Sequence, residues 1–179
     1  MAPIPKTKGR TMDILKTATE WTRAEMLSST VFILFALAFL LASLGFWQMG
    51  RTDVARAYVI PMLIAGTLIL ILGLGLFFLS QARLTGFPAA YSADPAGFLT
   101  AEIARADKVL NDYRIAVYRI FPVIIALCAV LIPFLAGPIW RASLITTIAA
   151  LAVALVVDTN ADARLQAYRA QLSLAGASG

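Results

Sequence analysis

The sequence predicts an all-α fold, an integral membrane four-helix bundle whose helices run on into amphipathic cytoplasmic extensions. Three observations carry this. The 179 residues are 60% hydrophobic with a mean hydropathy of +0.82, far too apolar for a soluble domain of this size. Four apolar runs, residues 31–49, 57–80, 120–136 and 139–157, match or approach the ~20 residues that cross a bilayer. Around the third and fourth runs, apolar residues recur at alternating steps of four and three, the spacing of a helix with one apolar seam.

The first residues, 1–11, contain Pro3, Pro5 and Gly9 beside two lysines, and read as a disordered tail able to touch anionic headgroups. Residues 12–27 form an expected interfacial helix. Ile14, Ala18 and Trp21 share one face, Lys16, Glu20 and Arg23 lie elsewhere, and Trp21 is the expected anchor. The rival reading packs this helix on the other cytoplasmic helices. Ser28, Ser29 and Thr30 mark entry into the first span, where Ala38, Ala42 and Gly45 make a small-residue stripe suited to close helix approach.

A tight external turn at 50–56 leads into the second span, in which Gly66 and Gly73 lie seven residues apart on one expected packing face and Gly75 is close by. Residues 81–97 follow as the one long loop. Gly86, Pro88, Pro95 and Gly97 argue against continuous helix there, and Asp94 before Pro95 has the form of an N-cap with proline at the first helical position.

The long hairpin comes next. Leu99, Ile103, Ala106, Leu110, Tyr113, Val117 and Ile120 set the seam of the extension 98–119, and Leu172, Tyr168, Leu165 and Ala161 that of the extension 161–173. A turn is expected at Ala136, Gly137 and Pro138. Counting outward from Gly137 sets Tyr113 level with Ala161 and Ala106 with Tyr168, so that large faces small. Glu102, Asp107 and Asp112 alternate with Arg105, Lys108 and Arg114 in what reads as a solvated face. The whole chain, 1–179, reads as one domain.

Orientation follows from charge. Twelve lysines and arginines fall on the side of the termini and the middle loop, against Arg51, Arg56 and Arg141 on the other. Both termini are therefore expected to be cytoplasmic, in a multi-pass protein of the plasma (inner) membrane. The net charge of +5 is explained by this asymmetry, and nucleic acid is not an expected partner. The bilayer is, together with a second copy or another membrane protein.

Residues for chemistry are few. The spans hold no ionisable group at depth, which disfavours a coupled transporter. Ser43, Thr67, Ser143, Thr146 and Thr147 are their small polar residues, each able to bond its own helix. Histidine is absent and the lone Cys128 lies mid-span, so no catalytic, cofactor or metal residues are assigned and no cofactor is expected. One polar cluster stands out: Asp158, Asn160 and Asp162 at the end of the last span, with Arg119 and Arg114 as the nearest cations on the opposing arm. Asp158 and Asp162, four apart, suit a divalent cation. The run nevertheless lacks the turn glycine and terminal glutamate of a calcium loop, and the glycine of the Asp-Gly pattern in lipid-headgroup transferases. An ion pair from Asp158 to Arg119 or Arg114 is the expectation. Functionally the chain reads as a non-enzymatic scaffold or accessory subunit. A small homo-oligomeric channel is second, and a lipid-headgroup enzyme using Asp158 and Asp162 third.

Overall fold

The structure, a computed structural model, describes residues 7–177, with side chains from Ile14 onward. It is helical throughout, with no strand among the described residues. In order come α1 (Thr7–Met49), the short α2 (Asp53–Ala57), α3 (Val59–Ala93), α4 (Pro95–Ile115), a π turn (Ala116–Ile120), α5 (Phe121–Leu131) and α6 (Pro138–Ala177). With α4 and α5 running on through the π turn, four helices are long and apolar enough to cross a membrane.

Helix α1 does not break between an interfacial piece and a span. The hydroxyls of Ser28, Ser29 and Thr30 donate back to the carbonyls of Ala24, Glu25 and Met26, so residues expected to mark a boundary stay within the helix. Residues 1–6 of the expected tail lie outside the described part, and the helix takes in the rest.

The largest departure is at 81–97, where α3 continues as helix through Gly86 and Pro88 to Ala93. Proline inside a helix costs about 3 kcal/mol. Tertiary packing offsets it here, because Phe87 and Tyr91 are buried edge-on against Phe98, each ring centre 5.4 Å from that of Phe98. The break comes only at Asp94, in extended conformation, whose Oδ1 accepts the Gly97 N–H at 2.9 Å while Pro95 opens α4.

A second departure is the hairpin tip. Helix α5 ends at Leu131, short of the expected turn at 136–138, because Pro133 has no N–H for the carbonyl of Ala129. Gly137 takes no left-handed conformation. Instead, hydrogen-bonded turns carry the chain to Leu135, whose carbonyl accepts from Arg141 Nε at 2.8 Å. The π turn has a similar cause, since Pro122 supplies no N–H to Tyr118 and the turn before it widens.

Helices α1 and α3 form the tightest pair. Buried along α1 are Ala18, Thr22, Ser29, Phe32, Ala36, Phe39 and Ser43, which step by four and three except for one gap, and the half-buried Glu25 fills it. A Cβ on Gly66 would meet Leu40 Cγ at 2.9 Å, and one on Gly73 would meet Ile33 Cγ1 at 3.0 Å, so the glycines set the approach of the two helices. Gly75 meets nothing; of the stripe expected to pack α1, Ala38 is exposed and Gly45 has open space, while Ala42 is half-buried. Helix α6 packs on α1, α3, α4 and α5, whereas α5 rests mainly on α6. In the most apolar windows only 11–28% of residues are buried within the chain.

Candidate functional site: a charged clasp between the amphipathic arms

The arms of all four long helices converge on a core of Ala18, Phe87, Tyr91, Phe98, Ala106, Leu165, Tyr168 and Leu172. The two arms of the hairpin therefore pack together, and Tyr113 and Ala161 line one small cavity, as level residues should. Charge is buried beside this core.

Glu102 sits four residues after Phe98 and four before Ala106, on the face that turns inward. Only 7% exposed, it does not belong to the solvated face that its alternation with basic residues suggested. Tyr168 Oη donates to its Oε2 at 2.8 Å, and Arg105 holds both its oxygens with Nε and Nη2 in a forked pair. The Arg105 guanidinium also lies 4.5 Å from the ring centre of Trp21, and that ring stacks on Tyr168 at 4.8 Å. Trp21 thus packs between Tyr168 and Arg105, as the rival reading of the first arm expects.

The second pair joins α1 to α3. Arg83 Nη1 lies 3.4 Å from Glu25 Oε2, and Ser80 Oγ donates to the same oxygen at 3.3 Å. Burial raises the Glu25 carboxyl above its usual value, and Arg83 and Arg105 pull it part of the way back. Burial and the charge of Arg105 lower Arg83. Burial works against the Arg105 charge too, but the hydrogen bond and charge of Glu102 outweigh it. Two acids and two arginines from three helices thus form a neutral network, which Tyr168 extends to the fourth. Outside it, Arg169 Nε donates to Asp107 Oδ1 at 2.8 Å, an exposed link between α4 and α6.

The cluster expected at the end of the last span is placed differently. Asp162 is buried, and its Oδ2 accepts from Tyr118 Oη at 2.8 Å and Gln166 Nε2 at 2.9 Å. Asn160 is exposed and bonds its own helix at the carbonyl of Val156. Arg114 and Arg119 are exposed and enter no ion pair among the described residues, so the expected link to Asp158 is absent. The π turn explains the miss, because one extra residue rotates both arginines relative to a uniform helical count. Asp158 is left half-buried with no hydrogen-bond or ion-pair partner among the described residues, and burial pushes its carboxyl up to about 6. Among the described residues no three His, Cys, Asp or Glu come together as metal ligands.

Geometrically the clasp can fix the angle between four helices; it presents no paired nucleophile and base. A signal for it exists in the sequence. Extending the α1 seam by its own period lands on Glu25, and the α3 series Gly66, Ile69, Gly73, Leu76, Ser80 and Phe87 has its next position at Arg83, between Ser80 and Phe87. No family model, curated protein or solved structure matches the chain.

Proposed function

We propose that the chain is a four-span protein of the plasma (inner) membrane, both termini cytoplasmic, that acts without catalysis as a scaffold or accessory subunit of a homo- or hetero-oligomeric assembly. One observation carries this reading: the helices are locked together at their amphipathic ends, while along their apolar lengths few side chains are buried within the chain. Helix α5 rests mainly on α6 and leaves Val123, Leu127 and Val130 exposed, as is Phe134 in the turn after it, and α1 exposes Leu34, Leu37, Leu41 and Leu44. Lipid covers such faces, and so do other helices. A rigid base with free flanks is the form of a subunit that positions neighbours.

Gentle extraction from native membranes, with the mass of the particle and its companions read together, tests the proposal. A stable companion or a defined oligomer supports it, and a monomer without companions sinks it. Orientation is tested by cysteines at Ser92 and Thr52, both exposed. Thr52 should react with an impermeant thiol reagent in intact cells and Ser92 should not.

The second reading, a homo-oligomeric channel, draws on the unpartnered Asp158 at the inner mouth of the last span. Ion flux from purified protein in liposomes, altered by Asp158→Asn, would promote it. The enzyme reading is weaker, because Tyr118 and Gln166 already share one oxygen of Asp162.

A further inference from the structure

Where α4 passes into the π turn, a pocket opens between this arm and α6, lined by Leu110, Arg114, Tyr118, Asp162 and Gln166. Leu110 alone among them is apolar. Asp162 is 5% exposed, and both hydrogen bonds to its carboxylate, from Tyr118 and Gln166, fall on Oδ2. Oδ1 keeps its capacity to accept. It is also open to the outside, since the fully covered side-chain atoms without a partner among the described residues are Arg105 Nη1 and the Thr146 hydroxyl. Arg114 is exposed and enters no ion pair among the described residues.

The pocket therefore offers one free guanidinium and one carboxylate oxygen. A simple anion drawn to Arg114 is repelled by Asp162, and a simple cation drawn to Asp162 is repelled by Arg114. A ligand bearing both charges is held at each end. The guanidinium fork suits phosphate oxygens, and Oδ1 needs a donor, so the cationic end is an ammonium that carries hydrogens rather than a quaternary one.

Depth names the source of such a ligand. In the proposed topology the apolar run of the third span begins at 120 and that of the fourth ends at 157. At 1.5 Å per residue, Tyr118 lies roughly 3 Å, Asp162 roughly 8 Å and Arg114 roughly 9 Å outside the hydrocarbon. The headgroup layer of one leaflet is roughly 5–8 Å deep. Ile120 and Val123, exposed at the start of the span, offer apolar surface to the chains of a lipid whose headgroup enters the pocket.

We propose that this pocket binds the headgroup of a zwitterionic phospholipid with a primary amine, its phosphate on Arg114 and its ammonium on Asp162 Oδ1. This rests on the transmembrane reading, which the labelling of Ser92 and Thr52 tests separately. The experiment is native mass spectrometry of the delipidated full chain, titrated with dioleoyl phosphatidylethanolamine and with phosphatidylcholine and phosphatidylglycerol of the same chains.

One phosphatidylethanolamine per chain is expected, bound about 10-fold more tightly than either of the others, the worth of one charged hydrogen bond. Asp162→Asn, which still accepts from Tyr118, should bring phosphatidylethanolamine level with phosphatidylcholine and raise phosphatidylglycerol above both. Arg114→Gln should weaken phosphatidylethanolamine about 10-fold; the residue is exposed, so this variant should melt with the parent and serves even where Asp162→Asn does not fold. Phosphoethanolamine, the headgroup without its chains, should not displace the lipid at equal concentration. Parity of phosphatidylethanolamine and phosphatidylcholine on the parent chain overturns the proposal, as does binding unmoved by Arg114→Gln or an ethanolamine preference that survives Asp162→Asn. Displacement by phosphoethanolamine also overturns it, and assigns the pocket to a soluble zwitterion.

Discussion

The amphipathic half and the apolar half of this chain hold their helices together by opposite means. In the amphipathic arms, ring stacks and charge pairs fill the space between four helices: Arg83 pairs with Glu25, and Arg105 and the Tyr168 hydroxyl both hold Glu102. Along the apolar lengths contact is made by subtraction: Gly66 and Gly73 let α1 and α3 approach, and α3 and α6 leave an open groove. The difference follows from the solvent each half is proposed to meet. Water makes burial of apolar surface favourable, so the arms can carry large side chains and a paired network inside. Hydrocarbon gives helices no such drive, so close backbone approach takes over.

Breaking the clasp should have the largest effect. Glu102→Ala removes the partner of both Arg105 and the Tyr168 hydroxyl in a site that is nearly dry, and is expected to cost about 3 kcal/mol, near the low end for breaking a buried pair because Arg105 keeps some exposure. Thermal unfolding in detergent measures it. Glu102→Gln, which still accepts from Tyr168, should lose less. Should both variants melt with the parent, the network holds nothing.

The apolar half breaks by overfilling. Gly66→Ala should destabilise by about 1–3 kcal/mol, since its methyl meets Leu40 at 2.9 Å, while Gly75→Ala, in open space, should be neutral or gain up to about 1 kcal/mol from helix propensity. Ala106→Leu is expected to cost as much as Gly66→Ala, because Ala106 is 0% exposed in the core that also holds Tyr168 and Leu165. If Gly75→Ala proves the worse glycine variant, α3 presents another face to α1.

How much of this was legible depended on whether a residue's neighbours in sequence decide its place. The four apolar runs, the Gly66 and Gly73 face and the seam of Leu165, Tyr168 and Leu172 needed only a helical period. Pro88 misled because the gain that offsets it comes from Phe98, across the helix break at Asp94, and propensity carries no trace of that contact. Glu102 misled for a different reason. Its local charge alternation is that of a solvated surface, and only the step of four from Phe98 to Ala106 shows that it faces inward. Prolines 122 and 133 spoiled the counting across the hairpin, the one by widening a turn and the other by ending a helix early. The placement of Arg114 and Arg119 opposite Asp158 failed with that count.

Asp158 offers the smallest expected effect and the sharpest test of the boundary between the two halves. With a paired arginine, its removal would destabilise; the unpartnered carboxylate reverses that expectation. Asp158 acts on the Tyr113 phenol of α4, as do Glu25 on α1 and Asp162 on α6, and burial alone, with no contribution from a cation, shifts Asp158 itself. Arg164, which also acts on Tyr113, is engaged with Ser28 and the carbonyl of Ala24 on α1. Burial lifts the Asp158 carboxyl from 3.8 to about 6, so the folded chain binds this proton more tightly than the unfolded one. Its contribution to stability is therefore full below about pH 4, falls as the pH rises through 6, and is unfavourable above that. A shift of this size converts to about 3 kcal/mol, and partial exposure cuts it to roughly 1–2 kcal/mol. Asp158→Asn, neutral at every pH, should accordingly raise the melting temperature at pH 8 and leave it near the parent value at pH 4. Melting curves of the two chains at these two pH values decide the matter. A lower melting temperature for Asp158→Asn at pH 8 would mean that a cation holds the carboxylate after all, and the middle of α6 around Asp158 would then belong with the clasp rather than with the apolar half.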